Sequence, residues 1–445
     1  MLPNETKPVL IPGDTPAFKQ LSAFGGFDLL ESAIEGVQNL NPSRKARREL
    51  FLGDSALYHD RQRLKQVLEI WEEILSEGVT VADIQAICQA QAEERAALLQ
   101  QNLGMALQLS RPLEQSYRNL GLFFANAGAL QIKNLTLLNA APGQLRDLDN
   151  TRFTDVIRQE LVQHYDRLDL RQHYSLLVIP GYAGSNAVLE RWARMAYESK
   201  VMLISDFTRL DAADDVMEMF TAAELTGAEE FRANAIMTCN WLMGRGKYEE
   251  VGEAEDLFVP PSGALAGKIY GTLMSQVTAG KKFGALADVQ GVSFPLKKSE
   301  IACLEQVGLI PVVKEYGRVM AFSARTLFNG DNLGLQTYSV VRVFDYVTKV
   351  LMDFLNRRAF ENFSANTRKD LQRQIIQFLD SITGPERLIE DFEIRRFEQD
   401  MHQKDRIHLD IFLKPYFPAR TFLIKMDGQK GISNNEWETA YEQTK

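Results

Sequence analysis

The sequence predicts a mixed α+β (α/β) protein in three parts: a helical N-terminal region, a central α/β domain and a C-terminal α-α-β-β-β domain. Three patterns carry this expectation. From about residue 24 to 130, apolar residues recur at intervals of three and four, as on one face of a helix. From 131 to 333, short β-rich runs alternate with helical stretches, the order of an α/β sheet. From 334 to 428, two helical stripes precede three runs of strand character. A length of 445 residues favours two or three domains, and 45% hydrophobic with 24% charged residues is ordinary globular usage, enough to bury sizeable cores.

Taken in order, residues 1–23 are rich in proline and polar residues and read as a flexible arm. In FGGFDLLESAIEGVQNLNPSRKARRELFL, Leu29, Leu30, Ile34 and Val37 share a helical face that Asn41-Pro42 ends. A second helix follows Ser43, and its basic cluster of Arg44, Lys45, Arg47 and Arg48 reads as a solvated face. Leu64, Leu68, Trp71 and Leu75 continue the helical pattern to a break at Gly78. In the central part, QIKNLTLLNA, YSLLVIP and KVMLISDF are strand candidates, and FTDVIRQELVQHYDRL and AVLERWARMAYES are helices between them.

The third part opens with a stripe of Val340, Val343, Phe344, Val347, Val350, Leu351 and Phe354. Thr367 with Asp370 resembles a capping box opening a second helix, which Gly384-Pro385 stops. In RIHLDIFLKPYFPARTFLIKMDG, Ile407, Leu409, Ile411 and Leu413 alternate with His408, Asp410 and Phe412, the period of a strand with one buried face. KPYFP reads as a turn, and Phe422 and Ile424 lie on a returning strand, so the expectation is a hairpin over 407–426. A lone hairpin is marginally stable and a hydrophobic open edge invites pairing. These six residues are therefore candidate inter-subunit strands, completed by neighbouring chains. Residues 429–445 read as a loose polar tail.

The charge balance of -9 argues against a nucleic-acid binder, which shows a basic footprint. From Asp206 to Asp256 stand 13 acidic residues against 4 basic ones, either a solvated face or an electrostatic docking surface. Cys88, Cys239 and Cys303 lie too far apart in sequence for a C-x-x-C pair, which fits a reducing compartment. The start lacks the basic and apolar segments of a signal peptide, and no run reaches the roughly 18 apolar residues of a membrane span, so a cytoplasmic location is expected.

Chemistry is sparse. SLLVIPGYAGSN has the order strand, glycine turn, helix, and such turns can hold phosphate. Gly181 and Gly184 give only G-x-x-G, short of a dinucleotide fingerprint, and Ser185-Asn186 can simply cap the helix. SGALAGKIYG is one residue short of a phosphate loop and has Ile269 where the magnesium-binding hydroxyl belongs. The five histidines form no H-x-x-x-H pair and no serine sits in G-x-S-x-G, so neither a metal, a cofactor nor a catalytic residue is expected.

FGGFDLLESAIEGVQNLNPSRKARRELFL, QIKNLTLLNAAPGQLRDL, YSLLVIPGYAGSNAVLERWARMAYESKVMLISDF and RIHLDIFLKPYFPARTFLIKM, in this order, resemble the large sheath subunit of type VI secretion systems, TssC/VipB, in its Bacteroidetes form. The resemblance covers about 24–428 and rests on structural signatures. It implies that 131–333 is the sheath domain and that 334–428 resembles a phage baseplate (gpW-like) fold. It implies pairing with a small sheath subunit (TssB/VipA), six-fold stacking around an Hcp tube on a baseplate, and contraction that drives the tube outward. In better-known members a longer N-terminal arm carries the handle for the ClpV unfoldase. The matching candidates here are Leu29, Leu30 and Ile34, which differ in spacing and flanks and alternatively pack on the sheath domain. Two other readings stay open: a sheath subunit of another phage-tail-like contractile injection machine, and an α/β nucleotide-binding enzyme using Gly181, Gly184 and Ser185.

Overall fold

A computed structural model of the chain describes residues 45–77, 80–128, 132, 134–419, 423–429 and 436–442. Leu29, Leu30, Ile34 and Phe422 lie outside these residues. The chain separates into two compact units: the described residues up to Leu107 with Glu250–Gly252, and the remainder.

The first unit is helical. Helix α1 (Lys45–Gly53) is followed by a single 3₁₀ turn whose Ala56 N–H donates to the Asp54 carboxylate. Helix α2 (Tyr58–Glu77) then carries Leu64, Ile74 and Leu75 into a small core with Phe51 and Ile84. Trp71 and Leu68 pack against that core, as their spacing predicts. Thr80 and Asp83 cap each other's backbone N–H groups where α3 (Val81–Ala127) begins.

From Gln108 onward α3 belongs to the second unit. Helices α4 (Pro142–Arg146) and α5 (Arg152–Tyr165) lead into β1 (Leu176–Ile179). The glycine turn, α6 (Asn186–Glu198), β2 (Met202–Asp206), α7 (Ala213–Ala222) and β3 (Ala235–Cys239) follow. Next come β4 (Leu242–Arg245), β5 (Leu257–Val259), α8 (Ser262–Tyr270), α9 (Gly280–Phe283) and β6 (Gly291–Val292). Helix α10 (Lys298–Gln306) feeds β7 (Leu309–Glu315), and β8 (Arg318–Ala321) returns beside it.

The main sheet has the order β1-β2-β3-β7-β8. Its first four strands run parallel and β8 closes the edge antiparallel. Alternation along the strands sends side chains to two cores. Leu203, Ala235, Met237, Leu309 and Val313 join Ile157, Leu161, Trp192, Val216 and Leu304 from α5, α6, α7 and α10. Met202, Ile204, Ile236 and Ile310 meet Leu265, Ala266 and Ile269 of α8 with Tyr338 and Val341. Helices on both faces are what lets parallel strands be apolar throughout, and the burial of every β2 and β3 residue follows.

The stretch SGALAGKIYG is α8, and its glycines have a packing cause. Gly263, Gly267 and Gly271 recur every four residues and so share one face of the helix. A Cβ at Gly267 would lie 2.3 Å from the Phe123 carbonyl oxygen of α3, and one at Gly263 would lie 2.7 Å from that of Asn119. The two backbones approach closely, and only glycine fits between them.

The C-terminal part comprises α11 (Tyr338–Arg357), α12 (Ala365–Ile382), β9 (Ile389–Gln399), β10 (Ile407–Pro415), β11 (Leu423–Gln429) and β12 (Glu436–Glu442). Helix α12 starts earlier than the Thr367–Asp370 box implied. Ser364 is its N-cap, accepting from the Thr367 N–H, and Asp370 instead bonds Arg358, Arg373 and Gln374. The expected mixed helix-and-sheet fold class is present.

Candidate inter-subunit interface

Strand β10 pairs antiparallel with β9, setting Leu409 opposite Phe397, Ile411 opposite Ile394 and Leu413 opposite Phe392. Like faces like across this ribbon, and its apolar side packs on Val343, Val347, Leu371, Ile375 and Leu379 of α11 and α12. Leu413 is buried, Leu409 and Ile411 are half-buried, and Ile407 at the strand's start is 42% exposed. The other side is polar: His408 bonds the Asp400 carboxylate at 2.8 Å, and Arg395 lies over the Phe412 ring. This charge-assisted bond, with the His402 and Gln403 N–H groups, holds the Asp400 carboxyl well below the usual carboxylate range.

The hairpin expected over 407–426 is not formed. Strand β11, which carries Ile424, pairs with β12, with Ile424 opposite Tyr441. The stretch expected to be a loose polar tail supplies that partner strand. Two causes decide the pairing. β9 offers β10 an apolar match at Leu409, Ile411 and Leu413. Beyond Pro415, the Tyr416 hydroxyl donates to the Gly384 carbonyl at 2.7 Å, directing the chain back toward the end of α12 rather than into a turn. The outcome is two separate two-stranded ribbons, β9–β10 and β11–β12. Among the described residues neither ribbon has a third strand, so each keeps two open edges.

The glycine turn is built differently from a phosphate loop. Gly181 and Gly184 have φ of +87° and +110°, conformations that favour glycine. Ser185 is the N-cap of α6 without a side-chain cap bond. The Gly181 N–H donates to Asp206 Oδ2 at 2.8 Å. Asp206, at the end of β2, is fully buried, and its Oδ1 accepts from the Ser262 N–H at 2.7 Å and from the Thr238 hydroxyl. Burial pushes this carboxyl up to about 6, against the pull of those hydrogen bonds. An internal carboxyl group thus takes up the Gly181 and Ser262 N–H groups, the kind of donor a phosphate loop would offer to a ligand. Sequence reasoning passed over Asp206; an acid closing an apolar strand run was the available signal. Among the described residues, no group of three or more His, Cys, Asp or Glu side chains is placed to hold a metal.

The acidic segment is mostly solvated, as its charge density requires. Asp211, Asp214, Asp215 and Glu218 are exposed. All four basic residues within it are paired: Arg209 with Glu255, Arg232 with Glu229, Lys247 with Glu249 and Arg245 with Glu253. Asp206 departs from the expected surface position. Glu253 departs too, being joined with Arg245, Arg111 and Glu114 in a network between α3 and the β4–β5 region. The Arg245 hydrogen bond holds the Glu253 carboxyl down at about 2.

Three family descriptions match in chain order. The TssC/VipB-like N-terminal region matches residues 15–103, the type VI secretion system TssC/VipB central domain matches 105–329, and the TssC/VipB-like C-terminal domain matches 337–443. The class these define is that of contractile-sheath subunits. Within it, the chain belongs to the TssC/VipB family, as its sequence signatures led one to expect. Among solved structures, the helical sheath of the anti-feeding prophage in its contracted state is similar at 18% identity, over 68% of this chain and 79% of that one, with a TM-score of 0.49. The contracted PVC sheath complex of an extracellular contractile injection system is 16% identical over 65% and 93%, with a TM-score of 0.42. The sheath tail protein Lin1278 of Listeria innocua is 10% identical over 60% and 56%, with a TM-score of 0.36. No protein of curated function matches the chain. Among the described residues, no helix is long and apolar enough to cross a membrane.

Proposed function

We propose that this chain is the large, non-enzymatic subunit of a type VI secretion sheath. It pairs with a small sheath subunit of the TssB/VipA type and polymerises with six-fold helical symmetry around an Hcp tube. Contraction of that lattice propels the tube out of the cell. The observation that carries the reading is the ordered succession of all three TssC/VipB regions, from residue 15 to 443. The energy of such a machine is a difference in packing between two lattices, so the chain itself uses no nucleotide. The engagement of the Gly181 and Ser262 N–H groups by the Asp206 carboxyl is consistent with that. A cytoplasmic site of assembly and recycling of contracted sheath by a ClpV-type unfoldase belong to the same reading.

The open edges of the ribbons support a way of joining subunits, by β-augmentation in which main-chain bonds cross between chains. With β10 and β11 already paired within the chain, a neighbour's strand adds at an outer ribbon edge. Co-expression with the adjacent reading frame and negative-stain microscopy tests the proposal. Hollow tubes are the expected outcome; isolated monomers that bind ATP would overturn it.

A further inference from the structure

A cavity of about 170 Å³ lies between α11 and the segments entering β1 and β2. Its lining includes Arg342, Asp345 and Lys349 from α11, with Lys200 and Tyr174 facing them. The spacing of three and four residues puts the three α11 side chains on one helical face. Arg342 is 9% and Lys349 6% exposed, unusual depths for cations without a carboxylate partner. Lys349 Nζ donates to the Tyr174 carbonyl at 2.8 Å. Arg342 Nη2 reaches the Ile269 carbonyl at a long 3.4 Å, and its Nη1 is shielded from solvent with no hydrogen-bond partner.

The carboxylate lining the cavity is already engaged. Asp345 Oδ2 accepts from Asn234 at 2.7 Å, and its Oδ1 lies 4.0 Å from Lys200. Its single charge is shared between Lys200 and Lys349, against three cations in all. Burial lowers Arg342 to about 10 and Lys349 to about 8, yet both keep their proton at neutral pH. An uncompensated buried guanidinium is costly, and the ordinary remedy is an oxyanion matched to its fork of donors. The volume holds about five waters at roughly 30 Å³ each. That is room for a carboxylate or phosphate group and too little for a nucleoside.

We propose that this cavity is an oxyanion site, in which Arg342 and Lys349 hold a carboxylate or phosphate group that offsets their charge. The group comes either from a free anion or from an aspartate or glutamate of another copy of the chain. The exposed Asp211, Asp214, Asp215 and Glu218 show that this chain presents such carboxylates. The free-anion source concerns the isolated chain and does not depend on the sheath reading; the neighbouring-carboxylate source rests on that reading.

The test has two arms. In the first, the thermal midpoint of the full-length chain is followed against inorganic phosphate at fixed ionic strength, beside Arg342→Gln and Arg342→Lys. A free-anion site raises the wild-type midpoint by about 1–2 °C at roughly ten times its dissociation constant. Arg342→Gln abolishes the rise, and Arg342→Lys, which keeps the charge but loses the fork, weakens it. In the second arm, the polymerised chain is imaged at a resolution that shows side chains. A neighbour's carboxylate within hydrogen-bond distance of Arg342, without a phosphate effect on the isolated chain, assigns the other source. A wild-type response matched by both variants, or no response together with a cavity holding only water in the assembly, overturns the proposal.

Discussion

The central sheet and the C-terminal ribbons are both built from short strands, yet they end in opposite conditions. The sheet has five strands and is covered on both faces by helices. The β9–β10 ribbon is covered on one face by α11 and α12, and like β11–β12 it has both long edges unpaired among the described residues. Burial stabilises the first; the second keeps main-chain donors and acceptors free for another strand. On the proposed reading, the subunit holds its own shape with one sheet and joins neighbours through the ribbons.

The largest effect that would break this comparison is in the sheet. Trp192 is fully buried and its indole N–H donates to the Leu145 carbonyl at 3.1 Å. Trp192→Ala should cost about 3–5 kcal/mol in urea unfolding. Ile407→Ala in the ribbon should cost about 0.5 kcal/mol, in keeping with its exposure. Comparable losses would mean that the ribbon is as much a part of the core as the sheet.

Next, Gly267→Ala should destabilise by about 1–3 kcal/mol, although alanine is the better helix former, because its Cβ would meet the Phe123 carbonyl. A stabilised variant would show that α3 and α8 have slack between them. Asp206→Asn should cost about 1–3 kcal/mol, since an amide offers one oxygen where the carboxylate accepts three donors on two.

In the ribbons, Ile424→Pro removes a backbone donor from β11. It should leave the circular dichroism and the unfolding midpoint of the main unit unchanged while preventing tubes in negative stain. Tubes of normal length would remove β11 from the joining surface.

A further contrast is in the pH dependence. Asp206 has its carboxyl raised from 3.8 to about 6, so its contribution is complete at low pH and is lost as pH rises through that window. Glu253 is lowered from 4.5 to about 2, so its contribution is present above the higher value and lost as pH falls toward the lower. Glu253→Gln should flatten the acid limb of a stability-versus-pH curve, and Asp206→Asn should flatten the region between pH 4 and 6. The same change from both variants would contradict this assignment.

Particular residues show what the sequence could convey. YSLLVIPGYAGSN and KVMLISDF name β1, the turn and β2, because short apolar runs and glycines act locally. The alternation at Leu409, Ile411 and Leu413 correctly names a buried face, but a period of two carries no information about which strand lies alongside; β9 and β12 were therefore not foreseen as partners. The stripe on α11 marks Val340, Val343 and Val347, yet Phe344 is 40% exposed while Arg342 and Lys349 are buried. Helical periodicity assumes one apolar face, whereas the start of α11 is enclosed all round, which hides polar residues from any such pattern. The apolar run before Asp206 signals its burial, but its three donors come from segments far apart in sequence and carry no local signal.

Beyond Pro415, the β10 strand gives way to the connection into β11. Fully extended, the backbone from Pro415 to Leu423 spans at most about 28 Å. That length is a leash. If β11 and β12 are captured by a neighbour, the body that owns them can be displaced until that connection is fully extended, without any covalent bond or strand hydrogen bond being broken. A shortening of this connection by three or four residues would reduce the permitted travel by about 10–14 Å and leave every strand intact.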